Sequence, residues 1–261
     1  MRGEHGDLLK VHRRTAVLDG RPATVFTLRP STQCRFATNY FHGTWHVLSD
    51  VAGAQLLARV SWALAYQRRA GTIFVVDSRF LVPNPFDADK SSPIVLMNSD
   101  IAHLTSRAVR DLKKFLGRMG GSEGTVKLST TGLDEILEAG GSKALREAQS
   151  ASGERWSAHD WHARTERVNG VVVLAAPPPT LKWWAVWLNQ LGSHWYRGSD
   201  ATELDHEHSY ERGDGEVQVF PNFDQMVQRA IETRSKLFPD AEHRELSGDE
   251  REAVWASLPS M

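Results

Sequence analysis

The sequence predicts an α/β protein: a mostly parallel sheet covered by helices on both faces, with an N-terminal β-hairpin. Three observations carry that expectation. TIFVV, PIVLM and VVVLAA, at 72–76, 93–97 and 171–176, are apolar at every position or nearly so, as strands buried on both faces are. From Ser49 onward, segments with apolar residues at helical spacing are interleaved with such strands. Near the start, RTAVL and ATVFTLR flank Asp19-Gly20, a dipeptide suited to a tight hairpin turn because both residues tolerate positive φ.

Taken in order, the hairpin is followed by NYFHGTWHVLSD at 39–50, which reads as one extended segment. Residues 50–69 are the strongest helix, with Ser49 or Asp50 as cap, Gly71 beyond the end, and only Gln55 and Arg59 marking a narrow polar side. The strand at 72–76 leads into a loop over 79–93 whose prolines deny it regular structure. After the next strand comes a helix with a stripe of Leu104, Ala108, Leu112, Phe115 and Leu116, closed by Gly120-Gly121. GTVKLST is a short strand and GLDEILEAGG a short helix. The polar segment 147–167 reads as a surface connection and as the weak boundary within a single domain over 1–261. VNGVVVLAAP is the clearest strand, followed by a tryptophan-rich helix, an acidic loop over 198–216 and the strand EVQVF. A helix over 222–238 has a full apolar stripe, and Ser247 with Glu250 forms a capping box for a last short helix.

Composition narrows the function. With 41% hydrophobic residues, 24% charged residues and a net charge of -1, there is no basic excess to neutralise phosphates, so no nucleic-acid partner is expected. A single cysteine, Cys34, rules out an internal disulfide or a multi-cysteine metal site. No run approaches the roughly 18 apolar residues of a membrane span, so a soluble cytoplasmic protein without a membrane partner is expected. The glycine-rich phosphate loop, the dinucleotide fingerprint and the G-x-S-x-G nucleophile elbow are all absent.

Candidate chemistry gathers in four places. If 39–50 is extended, His42, Thr44 and His46 share one face, with the two imidazoles as acid–base candidates and Thr44 as a ligand contact. His42-Gly43-Thr44 also resembles the fragment that opens the NAD-binding strand of ADP-ribosyltransferases, a likeness over three or four residues that implies an NAD site there. Asp77 and Asp100 follow buried strands and are expected at strand carboxyl ends, where open α/β sheets bind ligands, with Arg79 and Asn98 beside them. Those two carboxylates are catalytic candidates, able to hold Mg²⁺ or act as a general base; His206 and His208 have metal-ligand spacing in an acidic loop and are weak metal candidates, and the cofactor is unassigned. Trp183, Trp187 and Trp195 suggest an interface with a protein partner or a second copy of the chain.

Two functional readings follow. The first is an enzyme or ligand-binding protein for a small polar, nucleotide-like molecule held at strand carboxyl ends. The alternative is a non-catalytic interaction or assembly protein that uses the helix 181–197 and the acidic loop.

Overall fold

The computed structural model describes residues 7–151, 163–204, 215–241 and 244–258. The N-terminal hairpin is present and longer than the sequence pattern suggests. β1 (Leu8–Leu18) pairs antiparallel with β2 (Arg21–Thr27) through a turn in which Asp19 and Gly20 both have positive φ. The 39–50 segment is a second hairpin, not one extended strand. β3 (Phe36–Phe41) turns at His42-Gly43, with φ of 50° and 79°, into β4 (Thr44–Ser49). Two residues at positive φ give the twist that closes a two-residue hairpin, and His is among the non-glycine residues enriched there. His42 and Gly43 are therefore turn residues, and only Thr44 opens a strand. That is not the placement implied by the likeness to ADP-ribosyltransferases.

Helix α1 (Val51–Ala65) follows at once, capped by the Asp50 carboxylate, which accepts from the Gly53 amide at 2.7 Å. Next come β5 (Thr72–Val76), β6 (Ile94–Asn98), α2 (Ser106–Gly117), β7 (Gly124–Ser129), α3 (Leu133–Glu138) and α4 (Ser142–Ala151). Beyond them lie β8 (Arg164–Val168), β9 (Val171–Ala176), α5 (Pro178–Gln190), β10 (Asp200–Glu203) and β11 (Glu216–Val219). The chain closes with α6 (Phe223–Leu237) and α7 (Gly248–Ser257), the latter with the expected capping box.

The strands form two mixed sheets, one of seven strands in the order β7-β1-β2-β5-β6-β9-β8 and one of four in the order β10-β11-β4-β3. The expectation of a mostly parallel sheet is corrected. In the larger sheet only β2/β5 and β6/β9 are parallel, and the other pairs run antiparallel. The reason is connectivity. A parallel neighbour needs a crossover, and both parallel pairs are joined through helices, whereas the loop between β5 and β6 contains no α-helix and returns the chain antiparallel.

Helical cover is also uneven. One face of the larger sheet supplies Phe26, Phe74, Leu96 and Leu174 to a core shared with α1 and α5. Side chains of opposite parity, such as Val25, Val75 and Val95, meet only the stripe Ala108, Val109 and Leu112 of α2. That is one short helix, not the second full layer expected. Phe36, Val47, Val217 and Val219 of the smaller sheet join the first core, so α1 lies where the two sheets meet. Arg59, the charged residue of the narrow polar side, is buried and held by Asp134 at 2.9 Å and Thr130 at 3.2 Å. Among the described residues no helix is long and apolar enough to cross a membrane.

The turn geometry is testable. Gly43→Ala places a Cβ at left-handed φ and should lower unfolding free energy by about 1–2 kcal/mol. His42→Asn should be neutral or slightly stabilising. Urea unfolding midpoints at constant m-value read both effects.

Candidate functional site

The face of the larger sheet that carries Ala16, Leu18, Val25 and Val75 changes character toward the carboxyl ends of β2 and β5. In β1, alternation puts His12 and Arg14 on the same face as Ala16. His12 lies directly opposite Thr27, and Thr27 is opposite Val75 of the parallel neighbour β5. Arg29 follows β2, and Asp77 and Arg79 follow β5. A polar shelf thus continues the surface that α2 covers further along.

Asp77, only 2% exposed, anchors the shelf. It caps a short 3-10 turn (Ser78–Phe80), accepting from the Arg79 amide at 3.1 Å. It also takes the Arg79 guanidinium side-on in a fork, Nε to Oδ1 at 2.7 Å and Nη2 to Oδ2 at 2.8 Å. The Asp-Ser-Arg sequence after β5 makes this pairing local.

Arg14 stands differently. Three arginines are buried among the described residues: Arg14, Arg59 and Arg234. Arg59 has the Asp134 carboxylate and Arg234 has Asp89 at 2.6 Å. Arg14, 5% exposed, pairs with no described carboxylate. Its guanidinium donates to the Thr27 hydroxyl at 2.5 Å and to the Gly120 carbonyl at 3.5 Å, and its Nε has no partner. The Arg29 Nε and His12 Nδ1 are likewise buried without a partner.

The electrostatics report the same excess of cations. Burial, then the charges of Arg14, Arg29 and Arg79, push His12 below its usual value and favour neutral imidazole. Burial and the Arg79 charge also lower Arg14, opposed by Asp77 and Glu123. Burial of a guanidinium without a counter-charge is expensive, and an orphaned buried donor costs about 1–3 kcal/mol. On the side of Arg14 toward α2, a cleft of about 280 Å³ is lined by Arg14, Lys114, Arg118 and Glu123. Glu123 is engaged by the Thr15 amide and hydroxyl at 2.6 and 3.1 Å. The cationic lining of Arg14, Lys114 and Arg118 suits an anion, and the neutral imidazole of His12 lies two residues before Arg14 on the same face of β1.

The other candidates are dispersed. Asp100 is exposed, and because β6 runs antiparallel to β5 it lies at the opposite end of the sheet from Asp77, about 20 Å away at 3.3 Å per residue. Asn98 is buried as a turn-former, accepting from the Asp100 amide at 2.9 Å and donating to the Leu64 carbonyl at 3.4 Å. Cys34 is half-buried and its thiol is raised by burial to about 11, which removes it as a nucleophile. His206 and His208 lie outside the described residues. Trp183 is buried with its ring 5.5 Å from that of the half-buried Trp187, whereas Trp195 is largely exposed.

His46 acquires a partner the sequence did not disclose. It is buried on β4, its Nε2 3.2 Å from the Phe41 carbonyl and its Nδ1 3.7 Å from Glu216, the residue opposite it on β11. Thr44 accepts from the Gly215 amide at 2.8 Å and serves the backbone. Burial lowers His46, with the nearby His42 also lowering it and the Phe41 contact opposing. Burial and then Glu203 raise Glu216 to about 7. The 3.7 Å gap is too long for a hydrogen bond, so burial decides, and neutral imidazole faces a carboxyl that keeps its proton to near neutrality.

The cationic residues of β1 escaped the sequence reading, although VHRRTAVL carried a signal. Val11 and Ala16 point to opposite faces, so whichever face is buried must also hold either Arg13 or His12 and Arg14. No family model, curated protein or solved structure matches this chain.

Glu216 titrates with a definite sign. Its folded value lies above the unfolded 4.5, so its contribution is present below pH 4.5 and is lost as pH rises through about 7. Glu216→Gln should therefore remove about 1–3 kcal/mol of the stability difference between pH 5 and pH 8. Denaturant titrations of both proteins across that range measure it.

Proposed function

We propose that the protein binds a small anionic ligand, phosphate-bearing or carboxylate, on the shelf formed by His12, Arg14, Thr27, Arg29, Asp77 and Arg79. The observation that carries this reading is Arg14, a buried guanidinium that has the Arg79 charge in its field, an unpartnered Nε and no ion pair to a described carboxylate. Buried charge that weakens the fold is retained where a ligand completes it. The reading is supported by the position of Asp77 and Arg79 just beyond β5, since the carboxyl ends of parallel strands such as β2 and β5 are where open sheets present ligand sites.

Within this reading the roles divide. Arg14 supplies charge from the floor, Arg79 is held in position by Asp77, and Thr27 orients Arg14. His12, neutral and unpartnered at Nδ1, is the group suited to take a proton from a bound acid. A nucleotide-like molecule fits the charge requirement through its phosphate.

The test is linkage. At phosphate concentrations about a hundredfold above Kd, binding should stabilise the native state by about 2.7 kcal/mol. For a chain of this size that raises Tm on the order of 5–10 °C relative to chloride at equal ionic strength. Arg14→Met with Thr27→Val should abolish the phosphate response while leaving basal Tm equal or higher, because an uncompensated charge has been removed. A phosphate response unchanged in the double variant, or absent from the wild type, would overturn the reading.

A further inference from the structure

A second cleft, of about 230 Å³, opens between the β3–β4 hairpin, the 84–92 loop, β8 and the segment that leads into α7. Its polar groups are unusual for being buried and yet incompletely used. Asp87, 8% exposed, accepts from the Asp89 amide at 2.8 Å through Oδ1, but its Oδ2 has no hydrogen bond. The nearest cation, Arg251 Nε, is 3.9 Å from that oxygen. Arg251 is committed elsewhere, at 2.6 and 2.8 Å to Asp89, which also takes Arg234. Two arginines thus saturate Asp89 and leave its neighbour short of donors. Burial accordingly raises Asp87, with the adjacent Asp89 charge adding to it and the Asp89 amide and the two arginines opposing.

Asn84, 2% exposed, repeats the pattern. Its Oδ1 accepts from the Phe86 amide at 2.8 Å, while its side-chain amide donates to no described residue. Ser92 also lines the cleft with a hydroxyl that makes no hydrogen bond, while its amide donates to Thr38 at 2.8 Å. The wall is aromatic: the Tyr40 and Trp45 rings lie 5.2 Å apart, and the Arg167 guanidinium sits 5.4 Å over Trp45. Exposed Lys90 and Arg167 add two uncommitted cations to the lining.

We infer that this cleft is a binding site for a small zwitterion of the amino-acid type, its ammonium on Asp87 and its carboxylate on Lys90 and Arg167. Each half of the ligand answers a separate observation. An ammonium supplies donors to the unbonded Asp87 Oδ2 and is favoured beside the electron-rich ring faces. A carboxylate accepts from the unused Asn84 amide, the Ser92 hydroxyl and the two cations. The apolar body of the ligand lies along Trp45. Opposite charges in one small cleft, with the acid buried and the cations exposed, select a molecule that carries both charges a few bonds apart. This site shares no residue with the anion shelf, and each stands or falls independently.

Four probes dissect it: L-leucine, isopentylamine, 4-methylpentanoate and glucose. The readouts are the ¹H–¹⁵N signals of the Asn84 side-chain amide and the Trp45 indole, supported by calorimetry. Leucine should move both signals saturably, and the amine and the acid should each bind about tenfold more weakly or less. Asp87→Asn keeps the acceptor for the Asp89 amide and should abolish binding of leucine and amine alike. The exposed substitution Arg167→Met should weaken leucine but not isopentylamine, which keeps the test informative if the Asp87 variant does not fold. Equal binding of leucine and isopentylamine, glucose alone moving the two signals, or an unaltered leucine affinity in either variant would overturn the assignment.

Discussion

The constraint on which the architecture rests is that α1 is apolar around most of its circumference and must be covered from several directions at once. Leu57, Val60 and Leu64 share a core with Leu181, Trp184 and Leu188 of α5 and with strands from both sheets. No single sheet face could cover such a helix, and the second sheet is recruited by it. The tie is reinforced where apolar cover ends. Arg59 meets Asp134 and Thr130, Trp62 donates to the Thr131 carbonyl at 2.9 Å, and Trp184 donates to the Leu204 carbonyl at 2.7 Å. These polar groups enter the core already matched, as close packing without water favours.

Against that matched interior, the unmatched groups are informative. The network of Asp89, Arg234 and Arg251 and the pairing of Arg59 with Asp134 are ion pairs whose partners arrive from distant elements, and they fasten the fold. Arg14, Arg29 and His12 each keep a buried nitrogen without a partner, and Asn84 and Asp87 use only one side-chain atom apiece in hydrogen bonds. The molecule thus separates polar groups that close on themselves from polar groups that stay open. Arg14 borders one cleft, and Asn84 and Asp87 border the other.

Much of the fold was legible in the sequence because burial writes a strong pattern. The five-residue apolar strands, the capped α1, the stripes of α2 and α6 and the Ser247–Glu250 capping box are all where periodicity places them. What escaped detection leaves little pattern. β8 and β10 are edge strands with polar sequences, RTERV and DATE, joined to their sheets through backbone pairing more than through side chains. Strand direction was also invisible, since TIFVV and IVLMN look alike whether parallel or not, and only the intervening loop decides. Because β6 runs antiparallel to β5, Asp100 lies at the other end of the sheet from Asp77, while Asp77 and Arg79 stay together because their relation is local. His46 was noticed for its type, yet Glu216 lies 170 residues further along the chain, and no spacing rule connects them.

The clamp at Asp89 has a consequence for how the chain is made. Arg234 reaches Asp89 from 145 positions later in the sequence, and Arg251 reaches it from later still. During synthesis β5, the 84–92 loop and β6 emerge long before either arginine exists, with the Asp87–Asp89 carboxylates still facing water. The loop can take its final shape only when α6 and α7 have left the ribosome and closed over it. A segment translated much later therefore finishes the region that Asp87 and Asp89 begin. A message truncated before codon 234 would yield a protein with its α1 core assembled and that loop unfastened.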